Sequence, residues 1–243
     1  MAAFKSSSAE PFGETLNSAE VSGTLQVYWL GLVRYEVVWD VQRQMVAQRQ
    51  AGAIGDRLLL LEHPPTVTIG RRGGWNHIMA TRQEFEAAGV AVYEVDRGGD
   101  VTAHGPGQLV GYPILHLKGL RADLHWYLRQ LEEVMIRVLD RWDIRAERAD
   151  GRTGVWVGNE KVGAIGVKVA RWVTSHGFSL NVGPDLSLFE RIVPCGLAGY
   201  GVTSISRLVG YEVPLDEVRE VTALKFIEVF GYREAAYTDR IGD

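Results

Sequence analysis

Most segments with strand-like sequence lie in the first half of the chain, and helix-like segments are distributed among them without regular alternation. Aromatic and branched residues predict strands at four places before residue 100: 25–32, 58–61, 67–69 and 90–95. Hydrophobic periodicity and capping residues predict helices at 39–50, 81–89, 123–142 and 214–231. This order is not that of regular βαβ winding. It predicts an α+β fold with a mixed β-sheet flanked by helices.

Composition predicts a single domain. The chain has 243 residues, 46% of them hydrophobic, which suits one large core. Residues 1–23 are rich in Ser, Ala and Glu and predict a flexible amino-terminal tail, leaving 24–243 as the folded domain. The tail lacks the features of a secretory signal, so a cytoplasmic location is expected. A net charge of −4 and the lack of an 18-residue apolar run argue against nucleic-acid and membrane partners.

Cys195 is the only cysteine, so it cannot form an internal disulfide. It lies in the context Ile-Val-Pro-Cys-Gly, where Pro194 fixes the backbone before the sulfur. Gly196 leaves room for a substrate to approach. A free cysteine is often simply a small buried apolar residue. The residues therefore leave two interpretations open, a structural thiol and a nucleophile.

A glycine-rich segment, RGGDVTAHGPGQ at 97–108, predicts a loop that exposes backbone N–H groups to a ligand. No Gly-Lys-Ser/Thr follows it, so it is not a phosphate loop. Four glycines and a proline exclude a helix or a central strand there. An ordinary long turn is an equally good interpretation of this segment alone.

Lys161 lies where a predicted hairpin, with arms at 154–157 and 162–169, enters its second strand. Such a lysine is usually solvated. Alternatively, an ammonium beside Cys195 would favour the thiolate and exchange protons with a reacting group.

His176 could pair with a thiol, although a lone histidine in a strand is more often structural. The histidines at 63, 77, 104 and 176 lack the close spacing of metal ligands, so no metal site is expected. No cofactor is expected either, because phosphate-loop and dinucleotide motifs are missing.

Six motifs together resemble the lipoyl(octanoyl) transferases, and they extend over most of the chain: LEHPPTVTIGRR at 61–72, RGGDVTAHGPGQ at 97–108, EKVGAIGVKV at 160–169, HGFSLNV at 176–182, IVPCG at 192–196 and VTSI at 202–205. The resemblance implies a single domain like that of biotin and lipoate protein ligases. It implies that Cys195 carries the acyl thioester and that Lys161 lowers the pKa of the thiol and handles protons.

The resemblance also implies which segments bind the acyl substrate: Arg97, Gly98, Gly99, Asp100, Val101, Thr102, Ala103, His104, Ala164, Ile165, Gly166, Gly177, Phe178 and Ser179. A floor of small residues at 163, 164 and 166 would hold the chain, with Ile165 and Phe178 as walls. His104 and His176 are secondary candidates that orient Lys161 or line the entrance. The arginines at 71, 72 and 97 are candidates to contact the carrier's phosphate or acidic surface, and for the first two simple surface exposure is an equally good interpretation.

The function implied is a ping-pong transfer of octanoyl from octanoyl-acyl carrier protein to a lysine of a lipoyl domain. The acceptors would be the lipoyl domains of 2-oxoacid dehydrogenase E2 subunits and the glycine cleavage H protein, and no cofactor would be needed. An ATP-dependent lipoate or biotin ligase, a cysteine thioesterase and a non-catalytic acyl-binding protein remain as alternatives.

Overall fold

The structure is a computed structural model, and it describes residues 21–183, 185–192 and 200–239. The described residues form five α-helices: α1 (Tyr35–Gln50), α2 (Arg82–Ala87), α3 (Leu124–Leu139), α4 (Ile205–Val209) and α5 (Leu215–Phe230). The strands are β1 (Val21–Leu32), β2 (Arg57–Glu62), β3 (Thr66–Ile69), β4 (Ala91–Glu94), β5 (Val101–His104), β6 (Gln108–Ile114), β7 (Glu147–Ala149), β8 (Arg152–Val157), β9 (Glu160–Ala170), β10 (Val173–Asn181), β11 (Gly201–Val202) and β12 (Tyr232–Thr238).

A large mixed sheet carries the fold. Its strands follow the order β12-β1-β2-β6-β10-β9-β8-β7, and β11 pairs with β9. Strand β1 is parallel to both β12 and β2. The neighbouring strands along the path β2-β6-β10-β9-β8-β7 are antiparallel. A second sheet has the order β4-β3-β5. The mixed pairing and dispersed helices confirm the predicted α+β class.

The large sheet is covered by helices on both faces. Helices α3 and α5 pack on one face, where Leu58 and Leu60 of β2 join the main hydrophobic core. Helix α1 packs on the other face with Leu59 and Leu61. Successive residues of a strand point to opposite faces, so a run of four leucines is buried completely only between two layers.

The small sheet has its own core, formed with α2 and the 3₁₀ helix Ser187–Arg191. Phe85 of α2 is fully buried there against Val67, Ile69 and Val101. Helix α2 begins with the predicted capping box, because Thr81 Oγ1 accepts from Glu84 N and Glu84 accepts from Thr81 N. The small sheet thereby places β5 near β9 and β10 of the large sheet, and residues of all three strands line one pocket.

Several predicted elements are confirmed with shifted ends. Asp123 caps α3, accepting from Trp126 N, and Gly231 ends α5 with a φ of 75°. Helix α1 begins at Tyr35, four residues earlier than predicted. Strand β1 begins at Val21, so the last three residues assigned to the tail belong to this strand, and residues 1–20 lie outside the described residues.

Two expectations are wrong. The segment 97–108 is not one loop, because 101–104 form β5 and Gln108 begins β6. Strand β5 lies at the edge of the small sheet and pairs only with β3 in this part of the chain, so the glycines mark its two ends. Leu124 was expected on the inner face of α3 but is 42% exposed.

Candidate active site

Most of the predicted substrate-binding residues line one pocket, between β5, β9 and β10. The pocket also holds Lys161 and His176, and its predicted members are Arg97, Gly99, Asp100, Val101, Thr102, His104, Ala164, Ile165, Gly166, Gly177, Phe178 and Ser179. Residues far apart in sequence thus meet because β5 of the small sheet faces β9 and β10 of the large one. Cys195 lies outside the described residues.

Two predicted members are elsewhere. Ala103 is buried in the small core with Val67 and Phe85, because it alternates with Thr102 along β5. Gly98 lines an adjoining groove and donates its N–H to Val167 O at 2.8 Å. The proposed floor at Gly163 is also wrong, since a Cβ there would lie 2.6 Å from Met135 Sδ on the opposite side of the sheet.

Lys161 is the second residue of β9 and is 8% exposed. Its Nζ lies 4.7 Å from the centre of the buried Trp156 ring, a cation–π distance. Its carbonyl accepts from Thr203 N, and Val202 of β11 is its partner in the sheet. The solvated-hairpin interpretation is therefore wrong. The chain that follows the cysteine motif returns directly beside this lysine.

The side chain of Arg97 is hydrogen-bonded within the pocket wall and is not exposed at the surface. It is buried and donates from Nη2 to Thr68 O at 2.8 Å and to Thr68 Oγ1 at 2.9 Å. Its Nη1 donates to Gly98 O. These bonds tie the segment before β5 to β3. Arg97 also lines the pocket, so its expected contact with the carrier's phosphate or acidic surface stays a prediction, and Arg71 and Arg72 are exposed.

Because Gly166 has no side chain, the segment before β5 can lie close to β9. A Cβ at Gly166 would lie 2.9 Å from Arg97 Cδ and 3.1 Å from Gly98 O, so any side chain would push the segment away. Asp100, at the segment's end, accepts from Val101 N, and its Oδ2 lies 2.7 Å from His77 Nδ1. The pocket wall is thus built from close backbone contacts.

Three histidines and two tyrosines form a buried cluster at the pocket, and four of these five residues line it. His63 donates from Nδ1 to Val33 O at 2.6 Å, so its Nε2 accepts from Tyr112 Oη at 2.8 Å. The His63 and His104 rings are 5.6 Å apart, and Tyr35 stacks 6.2 Å from His104. Burial lowers the pKa of His63 to about 4 and that of His104 to about 3. Both are neutral at pH 7.

His176 belongs to the same network. Its Nε2 donates to Asp96 Oδ1 at 2.8 Å, and its Nδ1 lies 3.4 Å from Tyr35 Oη. Burial lowers the pKa of His176 despite Asp96, and hydrogen bonds from His176 and Lys168 hold the pKa of Asp96 well below its usual range. Both ring nitrogens have partners, so the orientation of the His176 ring in the pocket is fixed.

Sequence reasoning missed Tyr35, Asp96 and Tyr112 in this cluster. Tyr112 lies in a buried strand and Tyr35 at the start of α1, where aromatic residues are ordinary core. The signal that was present is His63 in a His-Pro-Pro turn, since a fully buried histidine needs hydrogen-bond partners. In the described ranges, no group of three His, Cys, Asp or Glu side chains is placed to hold a metal ion.

The comparisons with known proteins agree with this architecture. The family model described as the lipoyl protein ligase A/B catalytic domain matches residues 34–227. The octanoyltransferase of Chloroflexus aggregans is 50% identical over 213 residues, which cover 86% of this chain and 96% of the relative. That of Gloeobacter violaceus is 50% identical over 202 residues, covering 83% of this chain and 88% of the relative.

The chain belongs to the lipoyl protein ligase A/B catalytic domain family, and within it to the octanoyltransferases. The resemblance drawn from the motifs is confirmed, and the chain is an acyltransferase. A lipoate-protein ligase A solved with bound ATP has the same fold, with a TM-score of 0.67, 15% identity and 89% of each chain covered. No helix in the described residues is long and apolar enough to cross a membrane.

Proposed function

We propose that this acyltransferase moves an octanoyl group from octanoyl-acyl carrier protein to a lysine of a lipoyl domain, by way of a thioester on Cys195. The acceptors are the lipoyl domains of E2 subunits of 2-oxoacid dehydrogenases and the glycine cleavage H protein. One observation carries the proposal: in a chain half identical to octanoyltransferases, the expected acyl-binding segments gather around the buried Lys161.

The first step forms the enzyme thioester. The Cys195 thiolate attacks the carbonyl carbon of the donor thioester, and the carbon–sulfur bond to the carrier's arm breaks. The departing thiolate takes a proton from the Lys161 ammonium. A positive charge beside the sulfur favours the thiolate.

The second step forms the amide. The amine of the acceptor lysine attacks the Cys195 thioester, gives up a proton to Lys161, and displaces the Cys195 thiolate. Because an amide is more stable than a thioester, the transfer needs no nucleotide. One pocket then serves the donor and the acceptor in turn.

The pocket lining suits an acyl chain. Ala164, Gly166 and Gly177 have small side chains or none, and Val101 and Ile165 offer apolar surface. An octanoyl chain carries seven CH₂ or CH₃ groups beyond its carbonyl. At ~0.8 kcal/mol for each buried CH₂, several kcal/mol of binding free energy are available.

The experiment that tests this function separates it from the alternatives by product. The protein is incubated with octanoyl-acyl carrier protein and an apo lipoyl domain, with and without ATP. We expect octanoylated domain without ATP and little free octanoate. Product only with ATP would show an adenylating ligase, as in the lipoate-protein ligase that shares the fold. Free octanoate as the main product would show a thioesterase, and no product at all a binding protein.

A further inference from the structure

A groove that Lys161 also lines lies beside the proposed acyl pocket. It has a volume of about 500 Å³ and lies between the amino-terminal end of α3 and the turn that joins β7 to β8. Leu124 and Leu128 of α3 form one side, Arg152 lies on the other, and Ile165 and Val167 of β9 form part of the lining. Apolar walls with a cation beside them suit a protein segment better than a fatty acid.

Arg72 and Arg152 both line this groove, and Arg152 is the one that lies over aromatic rings. Its guanidinium carbon lies 4.7 Å from the centre of the Trp156 ring and 4.2 Å from that of Tyr200. Aromatic stacking covers the guanidinium plane and leaves the N–H groups directed outward in that plane. Nη1 is buried and has no hydrogen-bond acceptor among the residues that the structure describes. A buried cationic donor without an acceptor is unfavourable, so an anionic ligand would be stabilising there.

Neighbouring arginines are arranged differently. Arg129 and Arg148 both lie within ion-pair distance of the buried Glu132, at 2.7 and 3.3 Å. Within the described chain, no carboxylate lies within 4.0 Å of the Arg152 guanidinium, and the carboxylate that lines the groove, Asp100, already contacts His77. The unmatched charge of Arg152 thus distinguishes it from the arginines that stabilise α3.

Distance decides which anion Arg152 can reach. Lys161 Nζ and the Arg152 guanidinium are both 4.7 Å from the centre of the Trp156 ring, so they are separated by no more than about twice that length. In the donor, about thirteen bonds, or roughly 16 Å, separate the thioester sulfur from the phosphate of the carrier's arm. In the acceptor, a residue next to the reacting lysine starts ~3.8 Å from it along the backbone. A carboxylate there falls within reach.

We propose that the groove receives the segment of the acceptor protein that carries the lysine, and that Arg152 binds a carboxylate next to that lysine. The inference rests on the proposed function and adds the acceptor's charge requirement to it. The exposed Leu124 and the half-buried Leu128 contact apolar parts of the same segment. Arg152 therefore acts in the second half-reaction only.

The test measures the two half-reactions separately in Arg152→Gln and in the wild-type protein. The first is acylation of the enzyme by octanoyl-acyl carrier protein. The second is transfer from isolated acyl-enzyme to two forms of a lipoyl domain, one with an acidic residue beside the acceptor lysine and one with the corresponding amide. We expect unchanged acylation and a roughly tenfold lower kcat/KM for the acidic acceptor, equivalent to ~1.4 kcal/mol. The amide acceptor should be transferred slowly and equally by both proteins.

Arg141→Gln is the matched control, because Arg141 also lies over an indole ring, that of Trp142 at 5.9 Å, but outside the groove. Arg152→Lys keeps the charge and guards against a folding defect in Arg152→Gln; it should retain part of the preference for the acidic acceptor. Equal slowing of both acceptors, or slower acylation, would overturn the inference. If the wild-type protein acylates but Arg152→Gln matches it throughout, only this inference fails; if the wild type does not acylate, the proposed function fails.

Discussion

The contact between Gly166 and the segment before β5 gives a sharp quantitative prediction. In Gly166→Ala the new methyl would lie 2.9 Å from Arg97 Cδ and 3.1 Å from Gly98 O. The second of these atoms is backbone, and Gly98 N is itself held by Val167 O, so the segment must shift as a unit. Overpacking of this kind destabilises a fold by about 1–3 kcal/mol. For a chain of this size that lowers Tm by roughly 2–12 °C.

The same shift should change acyl binding, since Arg97 and Gly99 line the pocket. If the displaced wall removes burial of one or two CH₂ groups, at ~0.8 kcal/mol each, KM for an octanoyl donor rises roughly 4- to 15-fold. A shorter hexanoyl donor should lose less. The assays are thermal unfolding and steady-state kinetics with both donors.

Gly119→Ala is the control, because Gly119 ends a distant 3₁₀ helix and a Cβ there would meet nothing within 4 Å. We expect wild-type Tm and kinetics for this variant. A Gly166→Ala protein with wild-type Tm and an unchanged ratio of octanoyl to hexanoyl KM would refute the argument that this wall is built by backbone contact.

Three further changes test other parts of the structure. Lys161→Met should lower the rate of transfer by at least about 10²-fold in single-turnover assays, because proton transfer is lost while the apolar stem still packs on Trp156. Burial lowers the pKa of His63 in the folded protein from 6.5 to about 4, so the folded state favours the neutral ring. The resulting stabilisation is complete above pH 6.5 and is lost as the pH falls towards about 4. The free energy of unfolding measured with urea should be lower at pH 4.5 than at pH 7. This difference should be smaller in His63→Gln than in the wild type, and unchanged in the exposed His125→Gln. An equal difference in His63→Gln and the wild type would contradict the prediction. Glu132→Ala should lower the free energy of unfolding by about 1–3 kcal/mol, because it leaves the buried Gly154 N without its acceptor, whereas the exposed Asp216→Ala should change it by less than about 1 kcal/mol.

The sequence predicted the neighbourhood of the site better than its internal geometry. The motif containing Lys161 was correctly placed at a hairpin, and the Thr81 and Asp123 caps were correct, because local spacing determines turns and caps. The strand β5 was missed, because its flanking glycines resemble a loop and its pairing with β3 is a tertiary contact.

The residues that complete the site could not be found from local pattern. The contact between Asp96 and His176 depends on the position of β10 in the sheet. The contact between Tyr35 and His176 depends on how α1 packs against the sheet. Arg97 was expected to contact substrate, but its bonds to the protein were not predicted: three acceptor atoms of Thr68 and Gly98 bind its guanidinium inside the fold. Burial of such groups depends on partners distant in sequence.

The most direct test of the account is the intact mass of the protein after incubation with octanoyl-acyl carrier protein alone, followed by a chase with apo lipoyl domain. We expect one octanoyl group on the enzyme, mapped to Cys195 by peptide analysis, and its loss as the domain gains one octanoyl group. The Cys195→Ala protein, folded as judged by thermal unfolding, should show neither event. Transfer at the wild-type rate by Cys195→Ala would contradict the central claim of a thioester intermediate.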